Sequence, residues 1–106
     1  MKAQLLNILR QHQGRQNAIK ACDLAALLNE NERAVRLAIR ELIAEGVPVA
    51  SSTESPAGYF IITTYAEIQE YSESIKGRLI EDAIRRRNFR RAAFKHLEEA
   101  HQGVLL

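Results

Sequence analysis

A chain of 106 residues, 46% hydrophobic and 26% charged, suits one soluble domain with room for an appendage, and can bury a core without staples. One cysteine, Cys22, excludes an intrachain disulfide framework and fits a reducing cytoplasm; no apolar run approaches the roughly 20 residues of a membrane span, and the early leucines are too interrupted for a signal peptide. The net charge of +2 hides a segregation: residues 83–95 hold six Lys/Arg and no Asp/Glu, whereas residues 64–82 hold two against five.

The chain opens with a helical pattern over residues 2–13, where Leu5, Ile8, Leu9 and His12 recur on one face and Gly14 can end the helix in a left-handed turn. The stretch 17–19 reads as a brief strand. Residues 21–28 form a second helix with Leu24, Leu27 and Leu28 inward. Its cap position falls on Lys20, a poor capping residue, and Asp23 in the first turn partly offsets this at the positive helix end. A polar turn, Asn29-Glu30-Asn31, leads to a third helix capped by Asn31 or, two residues earlier, by a capping box of Asn29 and Glu32, with Val35, Ala38, Ile39 and Leu42 inward. Gly46 stops it and Pro48 cannot continue it. Residues 47–52 and 58–62 are rich in β-branched and aromatic residues and flank five turn-type residues, which is a hairpin with a longer loop. From Thr63 to Gln102 the pattern is helical, with a capping box at Thr64 and Glu67. Unbroken, that helix is roughly 55–60 Å long at about 1.5 Å per residue. Gly77 is the place where it can bend.

Three helices followed by a two-stranded hairpin resemble the winged helix-turn-helix fold. The segment "DLAALLNENERAVRLAIRELIAEGVPV" is similar to its helix-turn-helix core and "VPVASSTESPAGYFI" to its wing. The chain also looks like small winged-helix proteins of bacteria and phages that carry an arginine-rich C-terminal helix. The expected architecture is therefore mainly α with a small β-hairpin wing: a winged-helix domain at 1–63 and a helical extension at 64–106. The resemblance implies DNA binding, often as a dimer, although some members of the superfamily bind only proteins. One departure is plain: no Lys or Arg lies between Arg40 and Lys76, so the wing itself is not basic.

In such a fold the third helix enters the major groove with its N-terminal residues near base edges. Asn31, Arg33, Ala34, Arg36, Leu37 and Arg40 are the residues this assigns to DNA, with Ser51, Ser52 and Thr53 of the wing against phosphate. Arginine forks onto guanine or phosphate, and Ala34 and Leu37 suit a thymine methyl. The alternative is a solvated face with Glu32 and Glu41 as ion-pair partners.

The block Arg85, Arg86, Arg87, Arg90 and Arg91 has two open readings: phosphate contact, or an assembly helix paired with acidic residues. Its apolar face is too small for a membrane surface. Tyr65, Ile68, Ser72, Ile75 and Leu79 follow the three-four alternation of a dimer seam. In an antiparallel homodimer, residues 65–82 of one chain can face the basic block of the other.

Catalysis finds little support. His12, His96 and His101 are scattered, Glu98 and Glu99 read as solvated, and Cys22 has no CxxC partner. No spacing suggests a metal, a cofactor or a small-molecule effector. The expectation is a cytoplasmic, non-enzymatic protein that binds double-stranded DNA sequence-selectively, as a transcriptional regulator or a phage-type DNA-transaction factor. The alternative is a protein-interaction module that assembles through its C-terminal helix.

Overall fold

The computed structural model describes residues 1–105, with side-chain surroundings through His101. The elements run in the order α1 (Lys2–Leu9), a single 3₁₀ turn (Arg15–Asn17), α2 (Ala21–Leu28), α3 (Glu32–Ala44), β1 (Val49–Ser52), β2 (Gly58–Ile61) and α4 (Tyr65–Leu105). The protein is thus mainly helical, with one antiparallel hairpin and a long C-terminal helix. It divides into two compact units, Met1–Tyr71 and Ser72–Leu106; Leu106, the end of the expected extension, lies outside the described residues.

The first unit is built around α3. Val35, Ala38, Ile39 and Leu42 lie on one face of that helix and are all buried. Leu5 and Leu9 of α1 and Leu24 and Ala25 of α2 close over this stripe, and Val49 and Ile61 join the same cluster from the hairpin. Leu5, Leu9, Leu24 and Val35 are completely enclosed, so truncating one of the leucines to alanine should cost about 2–5 kcal/mol.

The hairpin pairs Val49 with Ile61, Ala50 with Phe60, Ser51 with Tyr59 and Ser52 with Gly58. Burial does not alternate along these strands. Val49, Ala50, Phe60 and Ile61 are buried consecutively at the base, while the tip is more open. The base is covered on both faces, which removes the period-two signature of a half-exposed strand.

The segment between α1 and α2 departs from its sequence pattern. The helix expected over 2–13 stops at Leu9, because residues 12–14 turn to the sheet instead. Ile61 N–H donates to the His12 carbonyl at 2.9 Å, and Gly14 N–H donates to the Ile61 carbonyl at 2.8 Å. Gly14, at φ 80° and ψ 157°, serves this crossing and opens the 3₁₀ turn; α1 is ended at Arg10 instead. The strand expected at 17–19 reduces to one residue: Ile19 exchanges two backbone hydrogen bonds with Tyr59, at 2.9 and 2.7 Å. The strand expected from residue 47 begins at Val49, since Val47 N–H is taken by the Leu42 carbonyl at the end of α3.

Two turns complete the unit. Asn29 adopts the left-handed conformation at φ 54°, one that asparagine tolerates, and its N–H satisfies the Ala26 carbonyl. Lys20 stands at the N-terminus of α2 and makes no side-chain cap, as its chemistry requires.

The second unit is the run of α4 from Ser72 onward. It is helical through Gly77, and every described side chain from Ser72 to His101 is exposed except Ala93, which is half-buried. Among the described residues no helix is long and apolar enough to cross a membrane.

Candidate nucleic-acid interface

The N-terminus of α3 is set by Asn31. Its backbone is extended, and its side-chain oxygen accepts from Ala34 N–H at 2.8 Å, satisfying one of the helix's free donors. Glu32 in the first turn adds charge that suits the positive helix end.

With Val35, Ala38, Ile39 and Leu42 inward, the 3.6-residue repeat puts Arg33, Arg36, Leu37 and Arg40 outward, and all four are exposed; Ala34 is half-buried beside them. Arg36 lies 3.9 Å from Glu32, a loose pair between exposed groups that contributes little. Arg33 and Arg40 have no carboxylate partner among the described residues. The face therefore offers two uncommitted guanidiniums and one loosely held one, around an exposed leucine.

The hairpin behaves differently from its sequence. Ser51 and Ser52 are half-buried and Thr53 is exposed. The Ser52 hydroxyl is already engaged: it accepts from Glu54 N–H and donates to the Glu54 carbonyl, both at 3.2 Å, and Arg15 Nε–H donates to it at 3.4 Å. The Arg15 guanidinium also pairs with the Glu54 carboxylate at 2.6 Å. A basic residue thus reaches the hairpin from the segment before α2. Sequence reading missed it, because the contact depends on the long-range bridge of Ile19 to Tyr59 and nothing local to Arg15 announces it.

Glu67 ties the same region to the start of α4. Its carboxylate accepts from Arg15 N–H and Thr63 N–H, both at 2.8 Å, from the Thr63 hydroxyl at 3.1 Å and from Thr64 N–H at 3.3 Å. Glu67 N–H in turn donates to the Thr64 hydroxyl at 3.2 Å, which completes the capping box read from the sequence. The Arg15 amide first, then that of Thr63, lowers the Glu67 pKa below its ordinary value. At the other end of α3, Lys2 pairs with Glu45 and with Glu41 (3.2 Å), Glu45 being the stronger influence; both raise the lysine's pKa.

On α4 the five seam residues lie on exposed helix: Tyr65 is 87% exposed and Leu79 65%. Of the basic block, Arg85 lies 4.0 Å from Asp82, and the Arg90 guanidinium sits 5.4 Å above the Phe94 ring. Arg86, Arg87 and Arg91 have no ionic partner among the described residues.

His12 Nδ1–H donates to the Asn17 carbonyl at 2.7 Å, the only role a carbonyl partner permits, and pins the 3₁₀ turn. His96, His101 and Cys22 are exposed. Among the described residues no three His, Cys, Asp or Glu side chains gather as a metal site would require.

No protein-family model, curated protein or solved structure matches this chain.

Proposed function

We propose that the first unit is a winged helix-turn-helix domain that binds double-stranded DNA sequence-selectively, with α2 and α3 as the helix-turn-helix pair and the hairpin as the wing. One observation carries the reading. The face of α3 opposite the core presents Arg33, Arg36, Leu37 and Arg40 to solvent, with Arg33 and Arg40 uncommitted. In this mechanism α3 lies in the major groove. Its arginines fork onto guanine N7 and O6 or onto phosphate, and Ala34 and Leu37 meet thymine methyls. The wing adds backbone amides, Ser51 and Thr53 against the sugar-phosphate backbone. Arg15 keeps Glu54 from repelling phosphate there by neutralising it. Such a protein would act in the cytoplasm as a transcriptional regulator or in phage-type DNA transactions, without enzymatic activity.

A second reading has support of its own. The hairpin carries no free cation, and Leu37 is 48% exposed in the middle of the α3 face. An apolar residue ringed by arginines equally suits an acidic protein partner.

Selection on random duplexes at low salt separates the two. The DNA reading expects an enriched motif, and affinity that falls with salt by about −0.9 in log K per log salt for each phosphate neutralised. Replacing Arg33, Arg36 and Arg40 with alanine should abolish the motif. No binding to pooled duplexes at low salt would leave the protein-interaction reading in its place.

A further inference from the structure

The second unit is a regular helix whose described side chains are exposed, Ala93 apart. Ile75, Leu79, Phe94 and Leu97 stand on it at 41–65% exposure. A helix in water draws most of its stability from packing a face, so this length of helix with this much apolar surface calls for a cover.

The heptad seam fails beyond Leu79, where it meets Asp82 and then Arg86. A different spacing continues it: Ser72, Ile75, Leu79, Ala83, Arg86, Arg90, Phe94, Leu97. These steps of three, four and four residues repeat every eleven, close to the pitch of a straight helix, so the stripe stays on one face to its end. The order of steps is the same in both directions about a point between Ile84 and Arg85. Reversal therefore lays the stripe on its copy position for position, as an isologous antiparallel pair requires.

Charge disfavours a parallel pair more than a reversed one. A parallel, in-register pair would set Arg86 against Arg86 and Arg90 against Arg90, and the whole basic block against its copy. Reversal sets Ile75 opposite Phe94, Ser72 opposite Leu97, Leu79 opposite Arg90 and Ala83 opposite Arg86. Asp82 of each chain then lies beside the partner's Arg86, twice by symmetry, and offsets the approach of the two Arg86 side chains to each other at the axis. The aliphatic stem of Arg90 can lie across Leu79 while its guanidinium stays over its own Phe94 ring.

We infer that a second copy of this chain covers this face, in an antiparallel pair centred between Ile84 and Arg85 and registered by reciprocal Asp82–Arg86 contacts. The inference does not depend on DNA binding, and its test contains no DNA in the deciding steps.

Sedimentation equilibrium of the full chain should report a dimer that dissociates more readily in 1 M salt. Asp82→Arg and Arg86→Asp should each weaken self-association at least tenfold. An equimolar mixture of the two variants should recover the dimer, because each supplies what the other lacks. An ion pair inside one helix would give no such recovery. Orientation follows from cross-linking in a Cys22→Ser background. Ser72→Cys and Leu97→Cys chains should form a disulfide when mixed and not when kept apart. A chain that stays monomeric at about 100 μM overturns the inference, as does self-linking of the Ser72→Cys chain.

Discussion

Asn31, Gly58 and Glu67 each fix a junction that the rest of the first unit depends on. Asn31→Ala removes the acceptor for Ala34 N–H and should cost about 1 kcal/mol in chemical denaturation, with no change in the folded structure. Gly58 is more demanding. It sits at φ 131°, and a Cβ placed there would lie 2.2 Å from the Ile19 carbonyl oxygen. Gly58→Ala must break either the Ile19–Tyr59 bridge or the pairing with Ser52, and should cost about 3 kcal/mol by the same measurement. Glu67 gives the unit a pH dependence. Its folded pKa is lowered by the amides of Arg15 and Thr63, so it binds protons less readily when folded than when unfolded. Its contribution is therefore present above the unfolded carboxylate value of about 4.3 and is lost as pH falls through the folded value. Thermal melts of the wild type and Glu67→Gln should differ at pH 7 and converge towards pH 3. A constant difference across that range would mean that charge plays no part in the cap.

At the scale of elements, α3 was the most legible part of the sequence. Its cap, inward stripe and stop are local signals, and all three recur in the structure at the residues that carry them. The hairpin was legible in its existence but not in its burial, because cover on both faces of its base comes from distant segments. Residues 10–19 were read wrongly for the same reason. The helical spacing of Leu5, Ile8, Leu9 and His12 is real, yet hydrogen bonds to Ile61 outcompete one more helical turn. Arg15 could not be connected to the hairpin without that topology. The division of labour within α3 makes its own prediction. Among the described residues Arg33 and Arg40 lack carboxylate partners, and Arg36 has only a loose one, so alanine at all three should remove little folding stability, within about 0.5 kcal/mol each, while on the DNA reading sequence-selective binding should fall at least tenfold. A large loss of stability in the triple variant would assign these arginines to the fold and count against the DNA reading.

At the scale of the whole molecule, every buried hydrophobic residue among those described lies between Leu5 and Ile61. The last side chain tied into that unit by hydrogen bonds is Glu67. A chain ending at Tyr71 keeps all of these contacts, including the capping box of α4. It should therefore unfold cooperatively with nearly the free energy of the full chain at concentrations where the full chain is dissociated. It should also sediment as a monomer, since residues 72–101 supply the proposed pairing surface. If the first unit binds DNA as proposed and the second pairs, duplex binding by this shortened chain should retain its base preference and lose affinity, because two linked half-site contacts would become one. In the full chain, amide exchange over residues 75–97 should slow as concentration rises, while exchange in α3 should not change. A shortened chain that fails to fold would mean that α4 beyond Tyr71 supports the core directly. Protection over 75–97 that is independent of concentration would mean that the helix is held within its own chain.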